Sequence, residues 1–274
     1  MKTRIIAAAV LLPLLLIVLL VLPSWGTGVL LSAMCAVGAF ELLYGTGLVK
    51  HPRLIAYSVL TAALLGIWCT FGAPYVWGLA GAFVFCCLLF GEMLLAKTKL
   101  RLEKVMICVA AGLLVPYLLC SIVRIRAMEL GAFYVLFPFA IAFTSDSGAY
   151  FVGMFYGKHK LAPTISPKKT LEGFFGGIAG AVLGMMIFGL VLSLGFGLKV
   201  NFLAGIVYGV LGSLASVLGD LTFSVIKRQT GIKDYGNLIP GHGGILDRFD
   251  SMTIVGPLTE ILLILLPFAE KFHG

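Results

Sequence analysis

Apolar runs, each close to the length of one bilayer crossing, alternate along this chain with short polar or glycine- and proline-containing breaks. At about 20 apolar residues per crossing, the pattern predicts nine spans: 5–22, 27–45, 54–72, 75–95, 105–123, 131–151, 173–195, 202–223 and 251–268. The breaks hold residues that stop a helix or draw it into water: Pro23-Ser24-Trp25, Lys50-His51-Pro52-Arg53, Gly72-Ala73-Pro74, the basic run 97–104, Arg124-Ile125-Arg126, the polar stretch 157–172 and the glycine-lysine segment 195–199. The first run follows Lys2 and Arg4 and exceeds the roughly 7–15 apolar residues of a cleavable signal. It is therefore read as a retained first helix.

Composition agrees with this reading. Hydrophobic residues make up 60% of the 274 positions and charged residues 12%, with a mean hydropathy of +1.08; a soluble domain carries about twice that charged fraction. The expected fold is an all-α polytopic membrane protein of about nine transmembrane helices with a cytoplasm-facing polar cavity. Residues 1–125 form an N-terminal region of about five spans, and residues 126–274 a C-terminal region of about four that carries the loops 157–172 and 224–250. No separate soluble domain is expected. The cysteines Cys35, Cys69, Cys86, Cys87, Cys108 and Cys120 lie in apolar runs without Cys-x-x-Cys spacing and are read as buried free thiols.

The formal charge of +8 is first a matter of orientation. Nine spans put the N-terminus and the loops after spans 2, 4, 6 and 8 on one face. Only Arg124, Arg126, Lys199 and Lys271 of the 20 Lys and Arg fall on the other, a bias that makes the first face cytoplasmic. The expected location is the inner or plasma membrane, with the N-terminus in the cytoplasm. Short basic loops without interleaved exposed aromatics do not suit nucleic acid, and none is expected as a partner.

Charges inside spans cost about 2.5–3.5 kcal/mol each, so the carboxylates there call for an account. Glu41 and Glu92 lie near the cytoplasmic ends of their helices, within reach of water or a lysine, and are read as structural. Glu260 fits either a hydrogen bond within the helix bundle or a functional group. Asp146 and Asp220 sit in polar settings, Thr144-Ser145-Asp146-Ser147-Gly148 and Gly219-Asp220-Leu221-Thr222, and face the basic loops. Each could cap a helix or pair with Lys227 or Arg248. Asp220 with Asp247 could also hold Mg²⁺, which takes one or two carboxylates plus water and phosphate oxygens.

The segment 224–250 concentrates Lys227, Arg228, Lys233 and Arg248, the carboxylates Asp234, Asp247 and Asp250, and the turn Gly241-His242-Gly243-Gly244. Glycines there permit positive φ and close approach of backbone N–H groups to an anion. His242 alone suits a turn-shaping role as well as a catalytic one. If a helix starts at Leu246, Asp247 and Asp250 share a face, as a metal site or an arginine clamp requires. A second cluster, Ser166-Pro167-Lys168-Lys169-Thr170-Leu171-Glu172-Gly173, is a polar hinge whose lysines could grip phosphate or touch anionic headgroups. The pairs Gly173/Gly177 and Gly176/Gly180 have the spacing of close helix packing.

Together these residues resemble the phosphatidate cytidylyltransferase family, the CDP-diacylglycerol synthases. Ser224, Lys227, Arg228, Lys233, Asp234, Gly236, Pro240, His242, Gly243, Gly244, Asp247, Arg248 and Asp250 fill the family signature without a gap, and the segments from Ser145 and from Ser166 also look like family features. The resemblance covers roughly the last 135 residues. It implies transfer of a cytidylyl group from CTP to phosphatidic acid at the bilayer, with Mg²⁺ and sometimes a monovalent cation such as K⁺, and it implies a homodimer. On that reading Asp220 and Asp247 hold Mg²⁺, with Asp146 at a second cation site. Lys227, Arg228 and Arg248 neutralise the triphosphate, and His242 shapes the turn or contacts substrate. Lys168 and Lys169 hold the lipid phosphate, while Ser224, Lys233, Asp234, Gly243, Gly244 and Asp250 complete substrate binding. The alternative is an ion-coupled secondary transporter using Asp146, Asp220 and Glu260.

Overall fold

The computed structural model describes residues 2–95, 100–239, 241 and 243–271, and helices dominate them. The first are α1 (Lys2–Leu20), α2 (Ser24–Phe40, prolonged by a π-helical turn at Glu41–Gly45), α3 (Pro52–Phe71) and α4 (Tyr75–Leu95). The run α5 (Leu102–Arg126) passes through a second π turn, Ala110–Leu114, as it approaches Pro116. Proline lacks the N–H for the i−4 bond and crowds that carbonyl, and a widened turn relieves both.

After the helical turn Gly131–Tyr134 come α6 (Phe137–Tyr156), the strands β1 (Lys160–Ala162) and β2 (Ser166–Thr170), and α7 (Leu171–Phe196). The strand β3 (Lys199–Val200), α8 (Phe202–Gln229), the short α9 (Leu246–Phe249), α10 (Met252–Leu265) and β4 (Ala269–Glu270), which pairs with β3, complete the order. Among the described residues, seven helical segments are long and apolar enough to cross a membrane. The first and last of the nine predicted spans coincide with α1 and α10. The latter has 14 residues, short of the roughly 20 that one crossing takes. It ends where Leu266 leaves helical geometry before Pro267.

The chain divides into two compact units, Met1–Ala132 with Ile226–Phe249, and Phe133–Val225 with Asp250–Gly274. In the first, α2 and α3 pack closely because Gly28 meets Thr70 and Gly66 meets Ser32, leaving no room for a Cβ at either glycine. In the second, α6 and α7 pair along a stripe of small residues. A side chain on Gly176 would run into Val152 and the Gly148 carbonyl, and one on Gly180 into Thr144 and Gly148. Between membrane helices such contact replaces the hydrophobic drive that lipid removes. The small-residue pairs therefore serve packing.

An aromatic core anchors the end of the second unit. The Phe137 ring lies 4.7–5.9 Å from those of Tyr134, Phe188, Tyr208 and Phe268, each edge-on. Tyr134 and Tyr208 donate their hydroxyls to the carbonyls of Ala269 and Leu266, at 2.7 and 3.1 Å. Buried hydroxyls need such partners.

The stretch 157–172, expected as a polar loop with a hinge beginning at Ser166, folds as a β-hairpin pairing Lys160 with Thr170 and Ala162 with Ser166. It is tied to the start of α7 from both sides. Thr170 caps the helix, its Oγ1 accepting from the Gly173 N–H at 3.1 Å. Glu172 accepts from the N–H groups of Lys158 (3.0 Å) and His159 (3.2 Å), and its other oxygen lies 2.6 Å from His159 Nδ1. These bonds fix where Lys168 and Lys169 emerge.

Candidate active site

In the first unit, the loop after α8 folds around one carboxylate. The helix stops at Gly231, whose φ of +71° favours glycine. From there the chain wraps so that Asp247 Oδ2 accepts from the N–H groups of Tyr235 (2.7 Å) and Gly244 (3.0 Å), while Oδ1 accepts from Lys227 Nζ (2.9 Å). The Asp247 side chain is 2% exposed and Lys227 12%. A buried carboxylate is tolerable only when paired and hydrogen-bonded, and here two amides and an ammonium do both. Lys227 also lies 5.4 Å from the Tyr235 ring centroid.

Glu41, at the π turn that ends α2, supplies the other support. Its buried carboxylate accepts from the N–H groups of Ile245 (3.0 Å) and Leu246 (2.9 Å), which open the short α9. Sequence reasoning gave Glu41 water or a lysine as partner. Its partners are backbone amides some two hundred positions away, and nothing local in the sequence signals them. Gly244 is packed on this carboxylate so closely that a Cβ would collide with it, and Gly243, at φ +85°, lies against Asp247 Oδ2. The glycines of the signature are thus fixed by two acidic side chains.

The charged signature residues of this unit have more solvent contact than Lys227 and Asp247. Arg228, Lys233, Asp234 and Arg248 are exposed. His242 and Pro240 lie outside the described residues.

In the second unit, β1, β2, α6, α7 and α8 line a cavity of about 510 Å³ whose polar side chains are Ser145, Asp146, Tyr150, Lys168, Lys169, Thr170 and Asp220. Lys169 Nζ lies 2.5 Å from Asp220 Oδ2, with both side chains partly exposed. Asp220 Oδ1 accepts from the Ser224 hydroxyl one turn along α8, at 3.2 Å. Asp146 faces the same cavity, as does exposed Lys168. Behind them the Ser145 and Ser213 hydroxyls are 2.8 Å apart and buried. Asp250 lies past α9, where its Oδ1 accepts from the Ser251 N–H at 2.7 Å. The predicted residues Asp146, Lys168, Lys169 and Asp220 thus share one cavity, although they are up to 74 positions apart in the chain.

Among the described residues, no group of three or more His, Cys, Asp or Glu side chains forms a ready metal cage. Mg²⁺ seldom needs one, because it keeps waters and takes substrate phosphates alongside one or two carboxylates. Asp220 and Asp247 each offer hard carboxylate oxygens of the kind such an ion takes, and each holds a cationic group at hydrogen-bond distance in its own unit.

Residues 2–266 match the model of the cytidylyltransferase family. The phosphatidate cytidylyltransferase of Bacillus subtilis is 36% identical over 241 residues, covering 86% of this chain and 88% of that protein. The phosphatidate cytidylyltransferase of Staphylococcus epidermidis is 48% identical over 134 residues, which span 49% of this chain and 50% of that protein. That of Staphylococcus aureus is 47% identical over 137 residues, again half its length.

Proposed function

The chain belongs to the cytidylyltransferase family, and from that premise we propose that it transfers a cytidylyl group from CTP to phosphatidic acid, releasing pyrophosphate and forming CDP-diacylglycerol. The observation that carries the reading is the second unit's cavity, where two lysines and two carboxylates meet among membrane-spanning helices. Such a site can take a phosphate together with the cation that accompanies it, beside the lipid that supplies one substrate.

In the proposed reaction an oxygen of the lipid phosphate attacks the α-phosphorus of CTP. The new P–O bond forms as the bond from the α-phosphorus to the pyrophosphate oxygen breaks. A phosphate monoester is largely ionised near neutral pH, its second pKa being about 6, so no strong general base is needed. His242 is accordingly assigned to shaping the turn or contacting substrate. Positioning and charge neutralisation do the rest. Lys168 and Lys169 hold the lipid phosphate; Lys227, Arg228 and Arg248 neutralise the triphosphate and the departing pyrophosphate. Ser224 orients Asp220, to which it is bonded. Gly243 and Gly244 shape the turn that meets the nucleotide, the Gly244 N–H itself being held by Asp247, and Lys233, Asp234 and Asp250 complete substrate binding.

Asp220 and Asp247 would hold Mg²⁺, with Asp146 available to a second cation such as K⁺. When bound, the metal polarises phosphate oxygens and offsets developing charge. Lys169 and Lys227 pair with these two carboxylates, which keeps their ammonium groups beside the place where a phosphate would sit. The proposal includes nine crossings, with α1 and α10 as first and last, and a cytoplasmic N-terminus and polar face.

Purified protein in detergent micelles, given phosphatidic acid, CTP and Mg²⁺, is expected to release pyrophosphate and form CDP-lipid in equal amounts. Omission of any one component should stop turnover, and Asp220→Asn should lower kcat at least 100-fold, on the order of one lost transition-state electrostatic contact. Well-folded protein that forms no product, yet moves ions across vesicles without CTP, would replace this reading with the transporter.

A further inference from the structure

The reaction assigned above makes no direct use of Glu41, yet this side chain stands at the centre of the first unit's turn. It lies in the apolar segment Ser24–Gly45, long enough to cross a membrane, and is 5% exposed. Among the described residues its partners are two backbone amides, those of Ile245 and Leu246, rather than a cation. A carboxylate buried without an ion pair is a poor source of stability, since an apolar side chain of similar volume avoids its desolvation. What a carboxylate adds is direction: its two oxygens fix two backbone donors at once.

The surrounding glycines are shaped to this side chain. A Cβ built on Gly236 meets first the Oε1, Cδ and Cγ atoms of Glu41, and one on Gly244 meets its Oε1, Cδ and Oε2. A Cβ on Gly45, at the far end of the π turn, would strike the Tyr235 carbonyl. The end of α2 is thus seated on both limbs of the loop, 235–236 and 244–246. Asp247 grips the same limbs from its own position, through the amides of Tyr235 and Gly244. Glu41 accordingly fixes the backbone directly ahead of Asp247 and Arg248, and it does so from a π turn, a feature that recurs inside helices at functional sites.

We propose that Glu41 is a positioning residue for the nucleotide, holding residues 244–246 so that Asp247 and the exposed Arg248 meet the triphosphate. This role rests on the reaction assigned above. Lys168 and Lys169, assigned there to the lipid phosphate, belong to the other unit. Loss of Glu41 therefore weakens the use of CTP and leaves the use of phosphatidic acid alone.

Initial rates of the full chain in detergent micelles, with CTP varied at saturating phosphatidic acid and then the reverse, test this role. Glu41→Gln keeps the size of the side chain but turns an NH₂ group toward one of the two amides. It is expected to raise the KM for CTP about tenfold, the scale of one lost hydrogen bond to a charged group, and to change the KM for phosphatidic acid by less than about twofold. Glu41→Asp keeps the carboxylate and should raise the KM for CTP less. Gly236→Ala leaves Glu41 in place but pushes on its carboxylate, so it too should raise the KM for CTP. Combined with Glu41→Ala, where that carboxylate is gone, it should add nothing further. An unchanged KM for CTP in Glu41→Gln overturns the proposal, as does an equal rise in both KM values, or a Gly236→Ala penalty that persists without Glu41. Wild-type protein that makes no CDP-lipid overturns the assigned reaction and this role with it, whereas wild-type turnover with insensitive variants overturns this role alone. If the Glu41 variants lose helical circular dichroism, Gly236→Ala decides through the two KM values.

Discussion

Asp247 shows how much one side chain can organise. It joins the last turn of α8, the loop at Tyr235, and the glycine turn, all through hydrogen bonds to a single buried carboxylate. Removing one partner of a buried pair costs about 3–5 kcal/mol, whereas replacing both with apolar groups of similar volume is often neutral. Asp247→Asn and Lys227→Met are therefore each expected to lower the detergent-solubilised Tm by several degrees. The double change Lys227→Met with Asp247→Leu should recover much of that loss while turnover stays absent. A double variant no more stable than the worse single one would show that the amides of Tyr235 and Gly244, rather than the ion pair, hold the loop. The need for charge and glycine in segment 224–250 was legible in the sequence. The role of Glu41 was not, since its backbone partners at 245 and 246 are joined to it only by the fold.

The paired helices α6 and α7 and the hairpin between them form the next level. Gly176 lies against Val152 and the Gly148 carbonyl, so Gly176→Leu should force the helices apart, displace β2, and abolish both folding yield and CTP turnover. Thr170→Ala removes only a helix cap, worth about 1 kcal/mol. It should leave the protein folded but raise the KM for lipid more than it lowers kcat, because the cap fixes the base of the strand bearing Lys168 and Lys169. Equal loss in KM and kcat would mean that the lysines do not contact lipid phosphate. Helix positions were readable because each spanning run of apolar residues must satisfy its own backbone hydrogen bonds. The hairpin was not, for residues 157–172 have neither an alternating pattern nor a two-residue glycine turn. What shapes them is the carboxylate of Glu172 reaching back to Lys158 and His159.

Taken whole, the chain distributes its charge so that orientation can be tested directly. A cysteine placed at exposed Thr164, in the turn of the hairpin, should react with a membrane-impermeant maleimide in inside-out vesicles and not in intact cells. One placed at exposed Lys199 should behave in the opposite way, and labelling of both from one side would refute the proposed topology. The sequence by itself determined that this is a membrane protein of many helices, roughly where each helix lies, and to which family it belongs. Those properties follow from local composition and from a contiguous signature of charged residues and glycines. Only the tertiary structure decided that Asp220 pairs with Lys169, that Asp247 is sealed by Lys227 and two amides, and that Glu41 braces the glycine turn. Each of these is a short-range electrostatic or packing contact between positions distant in the chain, and pairings of that kind exist only after the helices have chosen their neighbours.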